Sequence, residues 1–115
     1  MSQHNTLSIE KWQRYSQSQQ ILMIANELNR AGNWIRKQDN LQVKSCYERA
    51  LELTQLTIDD SRWKNKIKEI CRFNEILAEQ FSNPVNDFEF NAILQKSLIT
   101  LDSDAFNLMY GESGE

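Results

Sequence analysis

The chain has 115 residues, a net charge of -3 and 40% hydrophobic residues, which is enough apolar mass for one compact domain and too little length for two. It contains three glycines and one proline, whereas an all-β sandwich or barrel needs turn residues about every 8 to 12 positions. The composition therefore argues against an all-β fold and predicts an all-α domain.

The amino-terminal segment does not show the pattern of a secretory signal. No apolar stretch follows a basic start between Met1 and Lys11. The longest apolar run of the chain is Ile21 to Ala25, far short of the roughly 20 residues that cross a bilayer. We expect a cytoplasmic protein with no membrane segment, in which residues 1–6, including the single histidine His4, are disordered.

The first helix is predicted by apolar residues that recur at intervals of three and four. They are Ile21, Ile24, Ala25, Leu28, Ala31 and Ile35. Ile9 and Trp12 lie about 120° away from this stripe on the same wheel, on the side of Trp34. The helix either breaks in the polar run 16–20 or continues through it. A continuous helix is favoured because glutamine forms helices well and neither glycine nor proline interrupts.

Two further helices follow. The polar stretch 37–40 predicts a turn in which Asp39 or Asn40 caps a helix over 41–57. The inward side chains of that helix are Val43, Cys46, Tyr47, Ala50, Leu51, Leu53 and Thr54. Residues 59–61 then cap a third helix that ends before Pro84. Its apolar face is formed by Trp63, Ile67, Ile70, Asn74, Leu77 and Phe81.

The chain changes character after Pro84. Asp87 and Glu89 mark the start of a fourth, amphipathic helix. Its stripe is Phe90, Ile93, Leu94, Leu98 and Leu101. Ser103 and Asp104 cap a last short turn closed by Gly111. Residues 1–83 carry a net charge of +2 and residues 84–115 a net charge of -5, so the acidic tail either lies against the basic middle of the chain or is solvated.

These elements predict a small all-α protein. We expect three main helices in an up-down bundle or helical-hairpin array, with the C-terminal amphipathic helix folded over them. The helical domain covers residues 7–101, and residues 102–115 form an acidic tail with one short helical turn.

Residues suited to catalysis or to holding a cofactor are scarce. His4 lies in the polar amino-terminal segment that we expect to be disordered, so nucleophile–histidine schemes lack a positioned base. No glycine-rich loop is present to bind phosphates. Two carboxylate pairs, Glu48 with Glu52 and Glu75 with Glu79, are spaced to hold a hard cation, but they lie away from the apolar stripes. Cys46 and Cys71 sit at apolar positions, which indicates small buried side chains in preference to a redox or metal pair. The sequence predicts no enzyme, no cofactor and no metal site, and a metal-dependent enzyme using the paired carboxylates is the most remote alternative.

The densest basic segment raises a second hypothesis. Five cations, Arg62, Lys64, Lys66, Lys68 and Arg72, lie within eleven residues around Trp63, a pattern that a nucleic-acid-binding accessory protein can use. Trp63 belongs to the apolar face, however, and the isoelectric point near 5.2 is low for such a protein. Nucleic-acid binding is therefore the alternative and not the main prediction.

Two features of the sequence are consistent with a binding function: an asparagine on an apolar stripe, and large apolar residues away from the main stripe. Asn74 lies on an apolar stripe, either buried as a register-fixing amide or, as we favour, rotated to the rim. Ile9, Trp12 and Trp34 lie off the main stripe, where they either cover the tail helix or form a surface for self-association or a protein partner. We expect a non-catalytic protein-protein interaction or assembly module, and one version of this expectation is a homodimer that uses this aromatic surface.

Residues 25–54 resemble a single tetratricopeptide-repeat hairpin. Gly32 matches the small position of the first helix in that family, Tyr47 the aromatic of the second helix and Ala50 the small position near its end. The turn is about one residue short and has Gln38 or Asp39 where the family has glycine. Only one repeat is present, whereas a solenoid needs at least three. The resemblance implies an antiparallel helical hairpin.

Overall fold

The computed structural model describes residues 8–82 and 87–109, excepting the side chain of Met109. All elements in these ranges are helical, and no strand occurs in them. They are α1 (Ile9–Trp12), α2 (Gln17–Arg36), α3 (Asn40–Ile58), a 3-10 helix (Ser61–Lys66), α4 (Ile67–Ser82), α5 (Phe88–Ile99) and α6 (Ser103–Met109). The all-α prediction is confirmed.

The helix is interrupted between Trp12 and Gln17, where α1 ends and α2 begins. The prediction of one continuous helix is therefore wrong. The side chain of Ser16 accepts a hydrogen bond from the Gln19 backbone at 3.1 Å, and the side chain of Gln19 accepts one from the Ser16 backbone at 2.9 Å. This reciprocal capping box stabilises a helix start at Gln17. The break lets α1 fold back over the end of α3, which it contacts.

The turn between α2 and α3 follows the predicted position. Asp39 caps α3 by accepting a hydrogen bond from the Gln42 backbone at 3.2 Å. Gln38 adopts a left-handed φ of 59°, and its N–H and that of Asp39 donate to the carbonyls of Ile35 and Trp34. This is the Schellman arrangement, in which glycine is the usual left-handed residue.

Contacts between distant residues establish the up-down order of the four long helices. α4 runs antiparallel to α3, since Lys44 at the start of α3 lies 5.1 Å from the ring centre of Phe81 at the end of α4. α5 runs antiparallel to α2, since Asn91 near its start reaches Leu28 and Asp102 beyond its end reaches Ser18. The helices therefore form an up-down bundle in which α2 contacts α3, α5 and α6.

The core follows most of the predicted stripes. Ile21, Ile24, Leu28 and Ala31 of α2 are buried, as is Trp63. Asn74 is half-buried, which confirms its favoured position at the rim. Cys46 is buried and Cys71 half-buried, and both are free. The assignment of Ile93 to the apolar stripe of its helix is wrong, because Ile93 is 59% exposed. Several other stripe residues are half-buried, namely Ile35, Leu51, Ile67, Phe81, Phe90 and Leu101.

The C-terminal helix packs onto the bundle. Asp102 caps α6 by accepting the Ala105 N–H at 2.9 Å, and the Ser18 hydroxyl donates to the same carboxylate at 2.6 Å. Ala105 is fully buried. Residues 102–109, assigned to a tail from the sequence, are thus packed with the helical domain. Residues 1–6 and the predicted closure of the last turn at Gly111 lie outside the described residues.

In the described part of the chain, no helix combines the length and the apolar character that a membrane span requires.

Candidate binding surfaces

Trp12, predicted as part of an interaction surface, is instead buried in the bundle. It is 0% exposed, and its indole N–H donates to the Thr57 hydroxyl of α3 at 3.0 Å. The reason is the break at Ser16, which turns α1 onto the end of α3. A fully buried indole offers no area to a partner, so this part of the predicted surface is corrected.

The other two residues of the predicted surface lie at different places. Ile9 is half-buried in α1, next to the buried Trp12. Trp34 is half-buried near the end of α2, with the Lys37 ammonium 5.0 Å from its ring centre. The backbone of Trp12 contacts Gln20, and Trp34 lies fourteen residues further along α2, or about 21 Å along the helix axis. The structure therefore does not bring the three residues together.

A closed hydrogen-bond network occupies the position where Trp12 and Trp63 meet. Gln20 is 0% exposed, and its amide nitrogen donates to the Trp12 carbonyl at 2.8 Å and to Asp60 Oδ2 at 3.1 Å. Its amide oxygen accepts the Trp63 indole N–H at 2.7 Å. Every polar atom of this buried amide is thus engaged, which is the arrangement that a stable low-dielectric interior requires. We refer to these four residues as the Gln20 network.

Arg62, the first residue of the basic segment, is tied to this network. Its guanidinium donates to both carboxylate oxygens of Asp60, at 3.2 and 2.8 Å, and to the Tyr15 carbonyl at 2.9 Å. These hydrogen bonds, opposed by burial, lower the pKa of Asp60 from 3.8 to about 2 and raise the pKa of Arg62. Arg62 therefore has a structural partner that sequence analysis did not assign.

The rest of the basic segment is divided between two elements. Lys64, Lys68 and Arg72 are exposed, and Lys66 is half-buried. Residues 61–66 form a 3-10 helix and residues from Ile67 an α-helix, so the cations do not follow one helical period. Lys66 lies in a polar cleft beside the start of α6, and Arg72 lies beside an apolar groove.

A second buried amide, missed by sequence analysis, joins α5 to the α2–α3 hairpin. Asn91 is 0% exposed and donates to the Leu28 carbonyl and to the Tyr47 hydroxyl, each at 3.0 Å. Burial raises the pKa of Tyr47, which keeps the phenol neutral. Gly32 permits this approach, because a Cβ there would lie 2.9 Å from Asn91 Oδ1. The signal in the sequence was the spacing of Asn91 from Leu94 and Leu98.

An apolar groove lies between α4 and α5 and has a volume of about 350 Å³. Phe73 and Leu94, both buried, form its floor, and Ile93 stands 59% exposed at its edge. Ile76, Phe90 and Leu101 complete the apolar lining, while Glu69, Arg72, Ser97 and Thr100 supply the polar groups. We call this the α4–α5 groove.

The paired carboxylates do not form a cluster with other ligand groups. Glu48, Glu75 and Glu79 are exposed and Glu52 is half-buried. Within residues 8–82 and 87–109, no three histidine, cysteine, aspartate or glutamate side chains lie close enough to share a metal ion.

No protein-family model, curated protein or solved structure matches this chain.

Proposed function

We propose that the protein is a non-catalytic protein-protein interaction module that binds an amphipathic helix of its partner in the α4–α5 groove. The observation that carries this proposal is the exposure of Ile93, which is 59% exposed next to the buried Phe73 and Leu94. Large aliphatic side chains exposed beside an apolar groove typically mark a contact surface.

The shape and chemistry of the groove favour a helix as the ligand. It lies between two helices and offers apolar side chains along its length, into which a partner helix can place residues spaced by three and four. Glu69 and Arg72 stand on the α4 side and supply charges of both signs for the polar border that surrounds most interfaces. The lining holds few groups of the kind that acid-base or nucleophilic chemistry uses.

The likeness of residues 25–54 to a tetratricopeptide repeat is part of this proposal. Gly32, Tyr47 and Ala50, which carry the resemblance, are all buried. In this chain the hairpin of α2 and α3 is the platform against which α4 and α5 pack. The free state of Cys46 and Cys71 agrees with the cytoplasmic location that we propose.

A site-specific photo-cross-linker at Ser97, which is exposed on the groove, tests the proposal in cells. We expect a covalent adduct with a partner protein that disappears in the Ile93→Asp variant, because a charge in the groove opposes burial of an apolar helix. The matched control is Leu41→Asp, since Leu41 is 78% exposed at the start of α3 and carries the same chemical change.

The mass of the adduct separates the two possible partners. An adduct of twice the 13.5 kDa chain mass identifies a second copy, as in the homodimer expected from the sequence, and sedimentation at two concentrations then shows the dimer directly. No adduct, or an adduct equally abundant in the Ile93→Asp variant, would contradict the proposal.

A further inference from the structure

We propose that the outer face of α2 is a second binding surface, and that it takes an extended acidic peptide segment of a partner protein. The face is formed by Gln19, Asn26, Asn29, Arg30, Asn33 and Lys37, all of which are exposed. At 100° per residue these side chains fall within an arc of about 100°, which also contains the half-buried Leu22. We call it the amide face, and it is separate from the α4–α5 groove.

The charge on the amide face has a single sign. The only acidic residue of α2 is Glu27, which is 8% exposed and turned towards α3. Solvated helix faces usually mix both signs, since pairs three and four residues apart stabilise a helix. The exposed residues of α2 are instead all amides or cations, although the whole chain carries a net charge of -3.

Glu27 holds two guanidinium groups at the border of this face. Its Oε2 lies 3.5 Å from Arg30 and 3.8 Å from Arg49 of α3. Both distances exceed the 2.7–2.9 Å typical of a tight charged hydrogen bond, so each guanidinium keeps donors for another carboxylate. The Arg30 and Arg49 side chains are 60% and 40% exposed. The buried carboxylate thus positions two arginines without using up their hydrogen-bonding capacity.

Two further cations are positioned at the C-terminal end of α2, where Lys37 belongs to the amide face and Arg36 lies just outside it. Arg36 lies 4.4 Å above the ring of Phe88, and Lys37 lies 5.0 Å above the ring of Trp34. Such contacts favour particular orientations of long side chains that are otherwise mobile. Cations are therefore held near the middle of α2 and again at its end.

An extended peptide matches the amides between these cations. An asparagine side chain offers both a donor and an acceptor, as does each residue of a peptide backbone. Residues 19 to 37 span about 27 Å of helix, the length of about eight residues of extended chain. Aspartate or glutamate side chains of that chain then meet Arg30, Arg49 and Lys37.

The charges favour an acidic peptide over a nucleic acid. Glu27 neutralises one of the two arginines that it contacts, so this group of three contributes a single net positive charge. Affinity for nucleic acids rises with the number of phosphates that cations neutralise, and few cations are available here. A short acidic peptide needs only these few contacts.

Selection of random peptides of about twelve residues on the purified full-length chain tests the proposal. We expect the enriched peptides to carry net negative charge. Their affinity, measured by fluorescence polarisation, should fall about tenfold or more in the double variant Arg30→Glu and Lys37→Glu. Replacing Asn29 and Asn33 with alanine should weaken binding several-fold without changing net charge.

The matched control reverses two exposed cations elsewhere. Lys64→Glu with Lys68→Glu makes the same change in net charge, and we expect affinity to stay within about twofold. The Ile93→Asp variant should also bind normally, which separates this surface from the groove. The proposal is overturned if no acidic peptide is enriched, if the control variant loses binding equally, or if a single-stranded oligonucleotide of similar length binds more tightly than the best peptide.

Discussion

The two ends of α2 are built in opposite ways. At its N-terminal end the Gln20 network joins α1, α2 and the 3-10 helix through buried hydrogen bonds. At its C-terminal end Arg36 and Lys37 lie exposed over the rings of Phe88 and Trp34, and the chain turns through a left-handed Gln38. Polar groups are satisfied internally at the first end and are presented to solvent at the second.

This difference indicates where binding is to be sought. Aromatic and basic residues close together in a sequence suggest a binding site. Here such residues, Trp12, Trp63 and Arg62, stabilise the bundle instead. The amides and cations along the outer face of α2 look like ordinary solvated residues, yet Asn26, Asn29, Asn33 and Lys37 expose their polar groups to solvent. The predictions below test the internal end first.

The largest effect is expected from Gln20→Leu. The substitution removes three buried hydrogen bonds and leaves the Trp12 carbonyl, the Trp63 indole and Asp60 without those partners. We expect the free energy of unfolding to fall by about 3–5 kcal/mol, measured by urea denaturation. The control is Asn74→Leu at the half-buried rim, expected to change it by less than about 1 kcal/mol. Equal effects would show that the network adds nothing specific.

Gly32→Ala tests the close approach of α5 to α2. The new Cβ would lie 2.9 Å from Asn91 Oδ1 and 3.3 Å from Phe88 Cε1, and Asn91 cannot move freely because its amide nitrogen is hydrogen-bonded twice. We expect a loss of about 1–2 kcal/mol of unfolding free energy despite the better helix propensity of alanine.

A double-mutant cycle isolates the clash. In an Asn91→Ala background the amide oxygen is absent, so Gly32→Ala should be neutral or stabilising when its effect is measured in the same urea assay. A loss of equal size in both backgrounds would place the strain elsewhere.

The next prediction concerns how the ion pair of Asp60 and Arg62 makes the stability of the fold depend on pH. Because the pKa of Asp60 is lowered from 3.8 to about 2 in the folded chain, its ionised form stabilises the fold above pH about 4. That contribution is lost as the pH falls through about 2. Arg62 is 39% exposed, so solvent screening limits the effect to about 1–2 kcal/mol.

Asp60→Asn keeps a side chain able to cap the 3-10 helix and removes the charge. Urea unfolding of both proteins at a series of pH values should show a stability difference that is constant at neutral pH and shrinks between pH about 4 and 2. A difference independent of pH would assign the role of Asp60 to packing alone.

Much of the fold can be predicted from the sequence, because many helix faces and helix ends depend only on residues close together in the chain. The stripe from Ile21, the cap at Asp39 and the start at Asp87 depend only on residues within one or two helical turns. The break before α2 is equally local, since Ser16 and Gln19 form a capping box, whereas the absence of glycine and proline favours a continuous helix. A capping box is positive evidence for a helix start and outweighs missing helix breakers.

The burial of the Gln20 and Asn91 side chains cannot be predicted from such local patterns. Gln20 is buried because α1 folds back on it, which is a tertiary contact between segments eight and forty residues apart. Asn91 is buried because Gly32 of another helix leaves room for it. Asn74, the amide that the stripe pointed to, lies at the rim, because the periodic pattern fixes a helical face only to within a fraction of a turn.

The α4–α5 groove also depends on a tertiary contact, namely the packing of α5 against α2. The predicted stripe of α5 included Phe90 and Ile93, whereas the helix is rotated so that Asn91, Leu94, Leu98 and Ile99 face the core. This rotation places Ile93 at the surface. A sequence pattern with apolar residues on most of its circumference cannot choose between the two orientations, and the contact with α2 decides.

The smallest predicted effect is stabilising and concerns the C-terminal end of α2. Gln38 holds φ at 59°, a conformation that places a Cβ close to its own backbone and that glycine adopts without strain. We expect Gln38→Gly to raise the unfolding free energy by about 0.5–1 kcal/mol, measured by urea denaturation. The expected gain is limited because glycine also loses more backbone entropy on folding. Gln42→Gly inside α3 is the control and should destabilise the chain by about 1 kcal/mol. Since Gln38 lies outside the amide face, its substitution should leave acidic-peptide affinity unchanged, so that loss of binding in this variant would show that the turn and the surface are coupled.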